Sequence, residues 1–313
     1  MRNEFYYRSI DGEHKIHAVE WGPKDEPRAV LQLIHGMTEY IGRYDEFASF
    51  MADNGFCVVG NDHLGHGDSV DSSDDYGYFR EKNGNRCLLE DIRTLRDMTR
   101  EKYPEVPYFI LGHSMGSFLA RQFMARYGEG LSGAVIMGTG SQGALALDSG
   151  MMLCRAIAAI RGWRYRSKLV RNMASGNYNK RFGNETPAEW LSKNTENKKA
   201  YLSNKKCTFI FTVNGYYNLF YSFKDCQDRK TVEMIRKDLP VLLVSGAEDP
   251  VGNYGEGVKQ AFKLYKDAGL QDIEMKLYEG DRHEILNELD RDKVYHDLLS
   301  WFEEKMPQET EEA

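Results

Sequence analysis

The sequence predicts an α/β protein: a mostly parallel central sheet flanked by helices on both faces, interrupted by one helical insertion. Three observations predict it. Apolar runs of strand length alternate with amphipathic stretches of helix length through the first 140 residues. That alternation stops after Gly140 and resumes at "PVLLVSGAED". One run, "YFILGHSMGSFLARQFMARY" (108–127), passes directly from a strand pattern to a helix pattern, with a serine between two glycines at the switch.

The stretch "EFYYRSIDGEHKIHAVEWG" has two β-rich halves around Asp11-Gly12, a favourable hairpin turn pair, and is expected to form antiparallel edge strands. Core strands are expected at "AVLQLIHG", "FCVVGND", "YFILGHS", "GAVIMGTG", "VLLVSGAED" and "IEMKLYEG". Helices are expected over Arg43–Asn54, Leu88–Lys102, Met115–Tyr127, Val258–Ala268 and Lys293–Met306. From 141 to about 237 the pattern is helical but irregular, basic and rich in Asn, without a clean buried strand. The expected organisation is a core built from 1–140 and 238–306, a cap inserted at 141–237 over the carboxyl ends of the core strands, and a flexible tail at 307–313.

Composition narrows the function. The chain has 313 residues, 41% hydrophobic and 28% charged, enough to bury a large core. No apolar run approaches the ~20 residues of a membrane span. The first residues, "MRNEFYYRSIDGEHK", lack the apolar stretch of a secretory signal. Five cysteines, far apart and without C-x-x-C spacing, argue against a disulfide scaffold or a zinc site, and a cytoplasmic location is expected. A net charge of −7 argues against nucleic acid as a partner. The charge is uneven: 141–210 holds thirteen Lys/Arg against four Asp/Glu, so one basic segment sits on an acidic body.

The serine at the strand–helix switch carries the chemistry. A sharp turn there pushes its apex side chain out of the sheet and brings the strand and helix backbones close, so small residues are needed two positions to either side. Gly112, Ser114 and Gly116 fit this nucleophile elbow, G-x-S-x-G. Three residues alone are weak evidence, but the preceding strand and the helical spacing of Phe118, Phe123, Met124 and Tyr127 strengthen it.

A serine hydroxyl needs a base, and the base needs an orienting acid. Of the eight histidines, only His283, in "YEGDRHEIL", stands in a loop directly after the final predicted strand. His113 lies inside the elbow, with its ring expected to point away from the apex. Asp249 follows the intervening strand, giving the order Ser114, Asp249, His283 expected for this elbow. Glu248 and Asp281 are rival acids, read as solvated loop carboxylates. The two oxyanion donors are expected to be the backbone N–H groups of Met115 and of Met37, with His35 and Gly36 shaping the loop after the first central strand.

With these residues in hand, the chain resembles the α/β-hydrolase superfamily and, within it, the monoacylglycerol lipase and lysophospholipase group. "HGMTEYIGRYDEF" matches through Glu39, Arg43 and Tyr44; "DHLGHGDS", "GHSMGS", "AEDPVG" and "GDRHEILNE" match the group's other loops. Tyr40 and Ser117 depart from it, standing where His and a second Gly are usual. The resemblance implies hydrolysis of an acyl ester, monoacylglycerols first, with no metal and no cofactor. Lysophospholipids, short acyl esters or, less readily for an acid-poor cap, peptides with a free N-terminus are the alternatives within the enzyme class. A non-catalytic ligand-binding module is the alternative outside it. The basic cap is expected to contact lipid surfaces transiently.

Overall fold

The computed structural model describes residues 1–183 and 185–307. Eight strands form one sheet in the order β1-β2-β4-β3-β5-β6-β7-β8. They are β1 (Arg2–Arg8), β2 (Lys15–Trp21), β3 (Ala29–Ile34), β4 (Phe56–Asn61), β5 (Tyr108–His113), β6 (Gly133–Met137), β7 (Val241–Gly246) and β8 (Ile273–Tyr278). β1 and β2 pair antiparallel with Arg8 opposite Lys15, and Gly12 takes the positive φ that their connection requires. β2 meets β4 antiparallel; every pairing from β4 to β8 is parallel.

The residue pattern explains the layering. β3 through β7 are buried along their whole length, as strands covered on both faces must be. β8 alternates, with Glu274 and Lys276 exposed, and these charges guard the sheet edge. Helices α1 (Asp45–Asp53) and α10 (Arg291–Glu304) cover one face, packing Phe47, Met51, Leu298 and Phe302 near Leu31, Val58 and Phe109. Helices α2 (Gly84–Lys102), α3 (Met115–Tyr127) and α9 (Glu256–Asp267) cover the other through Ile92, Phe123, Val258 and Tyr265. Each such side chain contributes roughly 1.5–3 kcal/mol by leaving water.

Helix starts differ from the sequence reading. α1 begins at Asp45 because a 3₁₀ turn, Ile41–Tyr44, comes first. α2 begins at Gly84, four residues early, where the Asn85 N–H donates to Asn218 Oδ1 at 2.8 Å. Between β6 and β7 lie α4 (Ala144–Arg161), α5 (Lys168–Ser175), α6 (Thr195–Ser203), α7 (Val213–Cys226) and α8 (Arg229–Glu233), with no strand among the described residues. Ser167, Asn194, Thr212 and Asp228 cap α5 to α8 by accepting from backbone N–H groups of their first turns. α7 rests on α3, where the rings of Phe118 and Phe223 stack with centroids 4.0 Å apart.

All five cysteines are free and buried. Among the described residues, no helix is long and apolar enough to cross a membrane. Of the expected tail at 307–313, residues 308–313 lie outside the described residues.

Candidate active site

The carboxyl ends of four parallel strands supply the predicted site residues, the place where open α/β sheets hold their ligands. Ser114 follows β5 and opens α3, with φ 54 and ψ −120. A non-glycine residue at such angles is strained and persists only when its surroundings enforce it. Gly116 makes the turn sterically possible, since a Cβ there would overlap the carbonyl oxygens of Ile34 and His35. At Gly112 a Cβ would meet the Gly116 carbonyl and the Ala120 methyl.

His283 lies beyond β8, and its Nδ1 is 2.8 Å from Asp249 Oδ2. The carboxylate fixes the proton on Nδ1 and leaves Nε2 as an acceptor. Asp249 also accepts from Ser245 Oγ at 3.1 Å and the Val251 N–H at 2.8 Å, and both members of the pair are buried. Of the rival acids, Glu248 is exposed, as expected. Asp281 is not a solvated loop carboxylate: it is fully buried and pairs with Lys193 Nζ at 2.8 Å. Burial pushes its pKa up to about 6 against the pull of that ammonium.

Met37 and Met115 line the same cavity as Ser114. Met115 is the first residue of α3, so its N–H has no partner in a preceding turn. The Met37 N–H has no acceptor among the described residues. His35 Nδ1 donates to the Gly36 carbonyl at 2.8 Å, and His35 Nε2 accepts the His63 N–H at 3.0 Å, which ties the loop after β3 to the loop after β4. Burial holds the His35 and His63 pKa values below the ordinary histidine range, so these rings are neutral struts.

The His113 ring lies beside that of His283, their centroids 4.6 Å apart. Glu39 holds it there, with Oε1 2.9 Å from His113 Nδ1. Glu39 and Arg43 stand in the sequence as matches to the group's loop motif, with nothing there to show what they contact. Their partners, His113 and Glu284, are 74 and 241 residues away along the chain. Trp190, which the sequence does not single out, packs its ring 5.0 Å from that of His283.

The cavity encloses about 150 Å³, and Phe118, Leu147, Met173, Leu219, Phe220 and Phe223 give it an apolar wall. Most of that wall comes from the segment between β6 and β7. Among the described residues, His17, Asp62 and Asp68 are the group with metal-ligand spacing. Asp62 there already accepts from His17 Nδ1 and from the Ile41 and Asp68 N–H groups, which knits loops together.

Residues 25–290 match the family described as "Serine aminopeptidase, S33". The chain belongs to this family. Its curated relatives include the monoglyceride lipase of Rattus norvegicus, 27% identical over 94% of this chain and 88% of the rat protein. The monoacylglycerol lipase of Mycolicibacterium smegmatis is 26% identical over 96% of both chains. Among solved structures, a thermostable carboxyl esterase from Bacillus coagulans in complex with glycerol aligns with a TM-score of 0.90 and 28% identity, covering 97% of this chain and 98% of that one. The fold is the α/β-hydrolase fold, and this family member is a hydrolase.

Proposed function

We propose that the protein is a serine ester hydrolase acting on monoacylglycerols, with Ser114, His283 and Asp249 as its triad. The observation that carries this reading is one cavity that holds Ser114 and an Asp249-oriented His283 against an apolar wall. Ser114 Oγ attacks the ester carbonyl while His283 Nε2 takes its proton and returns it to the leaving alcohol. The N–H groups of Met37 and Met115 receive the oxyanion. Water deprotonated by His283 then opens the acyl-enzyme and releases the fatty acid. Glycerol in the related esterase and the glyceride names of the relatives support a glycerol leaving group.

In this reading 141–237 forms a cap, with the apolar wall as the acyl site. Exposed Leu145, Met152, Ile160 and Leu169 stand beside Arg155, Arg161 and Lys168 on α4 and α5, which supports transient contact with a lipid surface. Lysophospholipids and short acyl esters fit the same triad. A peptide with a free N-terminus fits less well. The carboxylates lining the cavity, Glu39 and Glu284, are both engaged by Arg43, so neither is free to grip an amine.

Hydrolysis measured across monoacylglycerols, lysophospholipids and nitrophenyl esters of rising chain length tests the reading. The expected result is highest kcat/KM on monoacylglycerols, abolished by Ser114→Ala. Turnover of aminoacyl arylamides above that of every ester would overturn it.

A further inference from the structure

Beside the proposed triad lies a largely buried group of four charged side chains: Glu39, Arg43, His113 and Glu284. Arg43 pairs with both Glu284 oxygens at 2.6 and 2.7 Å, and with Glu39 at 3.4 Å. Two carboxylates against one guanidinium leave one negative charge, and His113 supplies the balance. Its two ring nitrogens face only acceptors: Glu39 Oε1 at 2.9 Å from Nδ1 and the His283 carbonyl oxygen at 3.2 Å from Nε2. A ring that donates from both nitrogens is an imidazolium. Burial works against that charge, and the Glu39 carboxylate outweighs it, holding the His113 pKa above the ordinary value.

The same Glu39 oxygen accepts the Gly36 N–H and, at 3.1 Å, the Tyr44 hydroxyl. It thus fixes the residue just before Met37, while His113 sits immediately before Ser114 and grips the backbone of His283. One ion pair therefore touches the loops that carry the proposed oxyanion donor, nucleophile and base. We propose that Glu39 and His113 are positioning residues, a buried ion pair that sets the mutual register of the oxyanion loop, the elbow and the histidine loop. The inference rests on the serine-hydrolase reading above. Neither residue is assigned a contact with the reacting atoms.

The test measures kcat and KM for Glu39→Gln, His113→Gln and the double variant on one short ester, well below each variant's melting temperature. A misplacement of the loops by about an ångström predicts kcat lower by on the order of 10²-fold, with KM within about threefold of the parent. The double variant should lose no more than about threefold beyond the worse single variant, because the pair acts as a unit. A lone charge left buried can prevent a single variant from folding. The double variant, which leaves Arg43 facing Glu284 alone, then supplies the kcat comparison. Variants that melt earlier but keep kcat within threefold would reduce the pair to a structural role and overturn the inference. So would single losses that multiply independently. Failure of the underlying reading shows separately, as a Ser114→Ala variant that keeps its activity.

Discussion

Asp249 Oδ2 stands 2.8 Å from Nδ1 of His283, 34 residues further along the chain, and both side chains are closed off from solvent. An amide at position 249 keeps the shape but can present N–H to the ring, which then holds its proton on Nε2 and cannot act as base. Asp249→Asn is expected to lower kcat by about 10⁴ with little change in melting temperature. Steady-state kinetics and a thermal melt check it together.

Gly116 is pinned between helix and sheet. Gly116→Ala drives a methyl into the carbonyls of Ile34 and His35, and both backbones must shift. The expected cost of about 1–3 kcal/mol lowers the melting temperature by roughly 2–5 °C, measured by calorimetry. An unchanged melt would contradict so close an approach of helix to sheet.

Ala174 lines the cavity at the end of α5. Ala174→Phe fills part of the space assigned to the acyl chain. For esters of long acids kcat/KM is expected to fall by at least about tenfold, and for acetyl or butyryl esters to stay within threefold. A chain-length series on both proteins reads this directly.

Much of the fold was legible because its signals are local. Strands β4 to β7 are near-continuous apolar runs, and Asp11-Gly12 marks the hairpin without outside help. The elbow was legible for the same reason: two glycines around a serine are needed by the turn itself. The helices between β6 and β7 were not delimited, although Ser167, Asn194, Thr212 and Asp228 are ordinary capping residues; irregular apolar spacing around them hid the starts. The contacts of His113 were lost for a different cause. A ring's direction is decided by its partners, and Glu39 meets it only after β3 and β5 pair in parallel, Ile34 beside Gly112. Asp281 likewise reads as a loop acid until Lys193, from the segment between β6 and β7, reaches it.

Asp91 carries a pH signature. Its carboxyl is buried in α2, accepting from Ser9 Oγ and the Ile10 N–H at 2.8 Å each, and burial pushes its pKa up to about 7. The raised value favours the protonated form in the folded chain, so this stabilising contribution is complete below about pH 4 and is lost as pH rises through 7. Asp91→Asn removes that dependence. Urea unfolding is expected to show the variant gaining on the parent between pH 4 and 7, then a constant difference above pH 8. Parallel curves across that range would contradict the assignment.

The most direct measurement of the central claim is reaction with a fluorophosphonate followed by mass-spectrometric mapping of the adduct. The predicted result is a single modified residue, Ser114, labelled rapidly in the parent and slowed by on the order of 10³-fold or more in His283→Ala, because only an assisted hydroxyl reacts. A parent that stays unlabelled, or an adduct mapped to a different serine, would contradict it.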